Sequence, residues 1–366
     1  MSRTIDAIPS GHSDLTAEWL TEVLAEAGYG RVPVASVDAQ PIGTGQTGAT
    51  FRLSVSYLSP QPELPVTFVA KIPVPDRTIR TRVALGCKAE VEFYQRLAET
   101  LQVPVPTCYF SAIADGGAEF VLLLSDLAPA IQGNQLKGCS PAEARPAAAA
   151  LASLHGPRWC DPEWLTFRST SMPSPDEKVA RAVARFASKA TEAVLSGLGH
   201  RMTPSDQATL EQFPSLVADW LLLFPGRFSL LHGDYRLDNL MFDPTGQQVT
   251  VVDWQTISVG LPARDLAYFV STSLSPQDRR AHEMSLVGSY HTALTRFDVP
   301  DYSLDACELD YRVGMLQGPL TATLGWAYSS ATERGDAMVL TMLERALGAI
   351  RDLGSFQLVA ELAGDA

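Results

Sequence analysis

The sequence predicts an α+β protein of two lobes: a small β-rich lobe over residues 1–126 and a larger, mainly helical lobe over 127–366. Three observations predict it. Short, β-branched runs with strand alternation cluster before residue 126. Beyond it, most apolar patterns have helical length and spacing. One exception, "LMFDPTGQQVTVVDW", reads as a hairpin inside the helical half. A chain of 366 residues is long enough to bury a sizeable core in two lobes.

The elements follow in order. "TAEWLTEVLAEAG", residues 16–28, predicts an amphipathic helix with Thr16 as N-cap and Gly28 as stop. "ATFRLSVSY" alternates, with Phe51, Leu53, Val55 and Tyr57 on one face, as a strand does. "VTFVAKIPV", "TCYFSAI" and "AEFVLLL" also read as strands, interrupted by one helix over about 86–102. "CSPAEARPAAAALASLHG" opens with a capping box, Ser140 to Glu143, and closes on Gly156. Pro146 inside it predicts a kink or a shifted start, because proline removes a helical N–H. In the hairpin, Pro244 and Gly246 suit the second and fourth positions of a type I turn over 243–246.

Composition narrows the function. The apolar fraction, 46%, is that of an ordinary globular protein, and no apolar run approaches the ~18 residues of a membrane span. The N-terminus lacks the apolar core of a signal peptide, which predicts no export. Five cysteines without C-x-x-C pairing predict free thiols in a reducing cytoplasm. A formal net charge of −13 argues against a nucleic-acid partner, since phosphate neutralisation needs basic patches.

Chemistry concentrates in "LLHGDYRLDNLMFD", residues 230–243, where His232, Asp234, Arg236, Asp238 and Asn239 sit between two apolar runs. Such groups are costly to bury without partners. They satisfy one another in a tight loop, or they hold something that is not protein. "HGDYRLDN" fits H-x-D-x-x-x-x-N, in which Asp234 accepts a hydrogen bond from a substrate hydroxyl and Asn239 holds Mg²⁺. Asp253, ending the apolar run "VVDWQ", is a second hard oxygen ligand for that metal. Upstream, Gly43, Gly45 and Gly48 form G-x-G-x-x-G. A strand follows them, which suits a loop covering ATP phosphates better than a dinucleotide turn, which needs a helix there. A glycine-rich hairpin without ligand is the plain alternative. Lys71 lies in an apolar strand, where lysine is costly unless paired. Glu90, bordering the apolar stripe Phe93–Leu97–Leu101, is the expected partner, and Glu92 is the fallback. An edge-strand or snorkelling lysine is the alternative.

Taken together, these residues resemble the aminoglycoside phosphotransferase and choline kinase superfamily. "HGD" and "DW" stand where protein kinases carry "HRD" and "DFG". "LLLSDLAPAIQGNQLKGCS", "LASLHGPRW", "VVDWQTISVGLPARDLAYF" and "TERGDAM" are similar to bacterial phosphotransferases related to ecdysteroid kinase-like proteins. The resemblance covers about residues 38–355. It implies a protein-kinase-like fold and an ATP- and Mg²⁺-dependent phosphotransferase acting on a small-molecule hydroxyl. By the same resemblance, Gly43, Gly45 and Gly48 approach the phosphates, and Lys71, held by Glu90, contacts them. Asp234 is the catalytic carboxylate, Asn239 and Asp253 hold Mg²⁺, and residues near 123–127 form the adenine hinge. His232 braces the catalytic loop, and Asp265 caps a helix and ties that loop down. Ser125 departs from the pattern, since relatives often carry an acidic residue before Asp126.

Two other classes compete with this reading. A nucleotide-binding pseudokinase or scaffold would lack turnover, yet no residue needed for chemistry is missing. A nicotinamide oxidoreductase would need alternating βα units, which the pattern does not offer. For the acceptor, Asp301, Asp305, Glu308 and Asp310 would draw a cation or, as plain alternative, form a solvated helix face, whereas Trp159, Trp164, Tyr311 and Trp326 would suit an apolar alcohol or pack as ordinary core. The resemblance favours a sterol-like or other apolar alcohol over an aminoglycoside or choline.

Overall fold

The computed structural model describes residues 8–43, 48–168, 175–329 and 332–364. The chain begins with α1 (Ala17–Leu24), β1 (Val34–Pro41), β2 (Ala49–Tyr57), β3 (Thr67–Ile72), α2 (Arg77–Glu92), β4 (Cys108–Ala114) and β5 (Glu119–Ser125). The five strands make one sheet, ordered β1-β2-β3-β5-β4, with every neighbouring pair antiparallel. The larger part follows: β6 (Ile131–Gln132), α3 (Pro141–His155), α4 (Glu163–Thr166), α5 (Glu177–Leu198), α6 (Pro204–Leu222), β7 (Ser229–Leu231), β8 (Leu240–Phe242), β9 (Val249–Val251) and β10 (Ser258–Gly260). Helices α7 (Ala263–Ser273), α8 (Pro276–Leu294), α9 (Leu304–Gly314), α10 (Gln317–Tyr328), α11 (Glu333–Leu353) and α12 (Ser355–Gly364) complete it.

The sheet is covered on both faces. On one, Leu20, Val23 and Leu24 of α1 pack with Leu53, Phe68, Ala70, Val121 and Leu123. On the other, Phe120, Leu122 and Leu124 meet Cys87, Val91 and Phe93 of the α2 region in the core that continues into the helices. Strand β5 is therefore apolar without alternation because both its faces are buried. The antiparallel sheet, with no βα alternation, removes the dinucleotide-turn reading of the glycines.

Most expected elements are present. The Thr16 side chain accepts a hydrogen bond from the Trp19 N–H, and Gly28 ends the helical path at φ +95°. Ser140 and Glu143 form the reciprocal capping box, and the Gly246 N–H bonds the Asp243 carbonyl at 2.9 Å across the turn.

One expectation is corrected. The helix expected at 86–102 begins at Arg77, because the Asp76 side chain accepts from the Thr78 and Ile79 N–H groups. Its first turns carry Arg and Thr, so no apolar stripe announced them. Pro146 neither ends α3 nor moves its start. The carbonyl that proline leaves unbonded belongs to Ala142, an exposed residue that water can reach.

Among the described residues no helix is long and apolar enough to cross a membrane. All five cysteines are free thiols.

Candidate active site

The polar loop lies between β7 and β8, as the two apolar runs implied, but these strands belong to different sheets. Strand β7 pairs with β10, whereas β8 pairs with β9 and β6. The loop thus starts on one ribbon and ends on another. Gly233 makes the turn possible: at φ +81°, an added Cβ would lie 2.2 Å from the Thr256 carbonyl oxygen.

Helix α7 anchors the loop from beneath. All of its residues are buried, so it is a platform inside the larger lobe. The Asp265 carboxylate accepts from the main-chain N–H groups of His232 (2.6 Å) and Gly233 (3.1 Å), with His155 Nε2 at 3.4 Å. Burial works against its charge, yet these donors hold its pKa below the usual carboxylate value. The tie to the loop is as expected. The capping is not: Pro262 occupies the N-cap, and Asp265 spends both oxygens on the loop rather than on its own helix. His232 is a brace. Its Nδ1 accepts from the Asp234 N–H at 3.3 Å, and its Nε2 donates to the Val252 carbonyl at 3.1 Å.

Asp234 receives three side-chain donors. Tyr268 donates to Oδ1 at 2.7 Å, while Arg236 Nε and Asn239 Nδ2 donate to Oδ2 at 2.9 and 3.1 Å. Arg236 also pairs with Asp238 at 3.0 Å, and Arg334 reaches the same Asp238 oxygen at 3.1 Å. Burial opposes the Arg236 charge, but Asp234 chiefly holds its pKa above the ordinary value. Burial raises the Tyr268 phenol well above its usual pKa, and Asp234 adds to the effect, so the phenol remains a donor.

On the sheet side, Lys71 Nζ lies 2.6 Å from Glu90 Oε2 and 3.3 Å from Asp253 Oδ1. Burial disfavours the ammonium, but Asp253 and Glu90 outweigh it and raise its pKa. Glu92 is not the partner; it pairs with Lys88 and Arg96 on its own helix. Gln255 adds a hydrogen bond to Glu90 at 3.3 Å. Asp253 adopts a left-handed backbone, φ +66°, rare for a residue with a side chain and typical of functional turns. Burial again opposes its charge, and Lys71 overrides burial to lower its pKa. Trp254, next in sequence, stacks on Phe93 at 3.8 Å between centroids, which joins this turn to the α2 region.

Lys71, Glu90, Asp234, Arg236, Asp238, Asn239, Asp253, Gln255 and Tyr268 line one cleft of about 890 Å³ between sheet and helices, whereas His232 and Asp265 are not part of its wall. Gly43 and Gly48 form part of its wall, and Gly45 lies outside the described residues. Of the expected hinge, Leu124, Ser125, Asp126 and Leu127 line the cleft, whereas Leu123 packs on the opposite face of the sheet. Among the described residues no group of three or more His, Cys, Asp and Glu could hold a metal. Asn239 and Asp253 nevertheless suit Mg²⁺. Asn239 commits its Nδ2 to Asp234, which leaves Oδ1 to accept, and the Asp253 carboxylate is partly open to the cleft. Mg²⁺ is usually held by one or two such ligands plus phosphate oxygens.

The acceptor candidates fare unevenly. Asp310 is buried against Arg227 and Tyr302, so it offers no cation site. Of the four aromatic residues, only Trp326 lines the cleft. Sequence reasoning missed Tyr268, Gln255 and Gln135. Gln135 is fully buried and ties Leu237 and Asp238 to α7. A hint existed only for Tyr268, which is three residues beyond Asp265 and so on the same helix face.

Comparison with known proteins extends this picture. A profile of the phosphotransferase enzyme family (APH) matches residues 38–297. A putative aminoglycoside phosphotransferase from Ralstonia eutropha JMP134 superposes with a TM-score of 0.51 at 19% identity, covering 94% of this chain and 98% of that one. Aminoglycoside 2′-phosphotransferase-IIIa, solved with GDP, gives 0.53 at 14% identity over 90% and 98%. The amicoumacin kinase hAmiN, in complex with AMP-PNP, Ca²⁺ and Ami, gives 0.51 at 14% over 84% and 87%. At such identities the likeness shows the fold, that of kinase-like phosphotransferases. A stretch of 41 residues is 49% identical to acyl-CoA dehydrogenase family member 11 of Gallus gallus, and one of 42 residues is 48% identical to that of Homo sapiens. Each stretch is 11% of this chain, and the chain spans only 5% of the length of those relatives.

Proposed function

The chain belongs to the phosphotransferase enzyme family, and from that premise we propose that it transfers the γ-phosphoryl group of ATP to a hydroxyl of a small-molecule acceptor. One observation carries the reading: Lys71, Glu90, Asp234, Asn239 and Asp253 converge on a single cleft from four separate segments, Asp234 and Asn239 sharing one loop. Lys71, kept charged by its two carboxylates, binds nucleotide phosphates. Gly43 and Gly48 bring main-chain N–H groups to them, and the 124–127 segment receives the base. Asn239 and Asp253 hold Mg²⁺, which when bound neutralises charge on the phosphate oxygens. Asp234 orients the acceptor hydroxyl and takes its proton. The hydroxyl oxygen bonds to the γ-phosphorus as the bond to the bridging oxygen breaks, and ADP leaves. His232 and Asp265 hold the loop on which this depends.

The acceptor wall favours an apolar alcohol. Met241, Met338, Val339, Met342 and Trp326 line the cleft, and the charged residues there are largely paired with one another. A boundary between lobes at residues 126 and 127 accords with β6 pairing to β8 in the helical part. Five free thiols accord with a cytoplasmic setting.

The test is ATP consumption, with and without Mg²⁺, across aminoglycosides, choline, sterols and hydroxyacyl thioesters. Turnover with an apolar alcohol supports the proposal. Mg²⁺-dependent binding without turnover on any acceptor would favour a pseudokinase, and preference for aminoglycosides or choline would reverse the acceptor assignment.

A further inference from the structure

Asp234 is pinned at both oxygens, and only one of its donors comes from outside the loop and its hairpin. Arg236 and Asn239 approach Oδ2 from the same short segment as Asp234 itself. Tyr268 approaches Oδ1 from α7, at 2.7 Å, and its hydroxyl donates to nothing else among the described residues. A carboxylate turns easily about its terminal torsion, which is broad and two-fold. Donors on Oδ2 alone leave Oδ1 free to swing with the loop. A donor on Oδ1 from a separate, fully buried helix removes that freedom.

The source of the donor strengthens the point. Tyr268 stands three residues after Asp265, on the same face of α7. Asp265 fixes the loop's main chain at His232 and Gly233, and Tyr268 fixes the side chain of the next residue. One helix face thus sets both the position of the loop and the orientation of its carboxylate. Tyr268 also lines the cleft. Its hydroxyl makes no hydrogen bond to Lys71, Glu90 or Asp253 among the described residues.

We infer that Tyr268 is a positioning residue for phosphoryl transfer, aligning the Asp234 carboxylate with the acceptor hydroxyl without taking part in nucleotide binding. The inference rests on the phosphotransferase reading above. It goes beyond that reading by assigning to α7 the orientation of the carboxylate, which the H-x-D-x-x-x-x-N pattern alone does not specify.

The experiment is Tyr268→Phe, which keeps the ring and removes only the donor. Hydrogen bonds to charged groups support a fall in kcat of about ten- to hundredfold. The KM and binding constant for ATP should stay within about twofold of wild type. The loss should also vanish in an Asp234→Asn background, because residues acting through one group are non-additive. Three results would overturn the inference: a wild-type kcat in Tyr268→Phe, an equal loss in the Asp234→Asn background, or a parallel loss of ATP affinity. The last would mark a merely structural role. Wild-type turnover separates the two claims. A wild type that neither binds nor consumes ATP refutes the phosphotransferase reading, whereas an active wild type matched by Tyr268→Phe refutes this inference alone.

Discussion

Replacing Lys71 by alanine tests two properties of one residue. Its ammonium is 2.6 Å from Glu90, and the two side chains are only 12% and 2% exposed. Removing the cation leaves a buried carboxylate without its counter-charge, a change that typically costs about 3–5 kcal/mol. Asp253 loses a partner too, but its side chain is 38% exposed, so water replaces much of what it loses. The cost depends on pH. Burial raises the Glu90 pKa above the ordinary 4.5, and Lys71 is what pulls it down. Without Lys71 the folded value rises further, so folding favours the protonated acid. The stability deficit should therefore be largest at high pH and shrink as pH falls through the raised value towards 4.5. The double variant Lys71→Ala/Glu90→Gln should recover most of the deficit, because no unpaired charge stays buried. Its affinity for ATP should not recover, because the phosphate-binding cation is still missing. Urea unfolding at several pH values, beside calorimetric titration of Mg·ATP, measures both. Unchanged ATP affinity in Lys71→Ala would refute the assigned role, and unchanged stability would refute the energetics of the pair.

Other substitutions separate the remaining roles. Asp234→Asn should lower turnover by about 10²–10⁴-fold while ATP still binds, since it removes the proton acceptor and keeps the shape; steady-state kinetics beside calorimetry checks this. Gly233→Ala should abolish turnover and lower the melting temperature, because its Cβ would sit 2.2 Å from the Thr256 carbonyl at a positive φ. Asp265→Asn should destabilise the protein most above pH 5. The folded pKa of Asp265 lies below the ordinary 3.8, so its contribution is present above that value and lost as pH falls through the lower one. Thermal melts of both proteins from pH 7 to 3 should therefore converge towards the acid end.

What was legible in the sequence was whatever a local pattern imposes. Strand β2 alternates because Leu53 and Val55 are buried on one face while Ser54 and Ser56 are exposed on the other, and the capping box of α3 is written in Ser140 and Glu143. Lys71 stood out because an ammonium is costly in an apolar strand, and the helix spacing pointed to Glu90 over Glu92. The start of α2 was hidden because Arg80 is buried by hydrogen bonds to Val74 and Glu119 rather than by apolar contact. Contacts across the fold left no local trace. Gln135 reaches Asp238 and Thr272 from more than 100 residues away, and β7 pairs with β10 rather than with β8. The acidic run at 301–310 misled for the same reason. Its spacing fits a solvated face, yet Asp310 is buried by Arg227, which lies far back in the chain.

The most direct test of the account is a calorimetric titration of ATP into the wild type and Asp253→Asn, each with and without Mg²⁺. Asp253 is the one charged side chain assigned to the metal, and its carboxylate is partly open to the cleft. The account predicts that the wild type binds ATP with Mg²⁺ and much more weakly without it. It predicts that Asp253→Asn loses most of that difference, because a hard cation has lost its anionic ligand. A wild type that binds no ATP in the presence of Mg²⁺ would contradict the account.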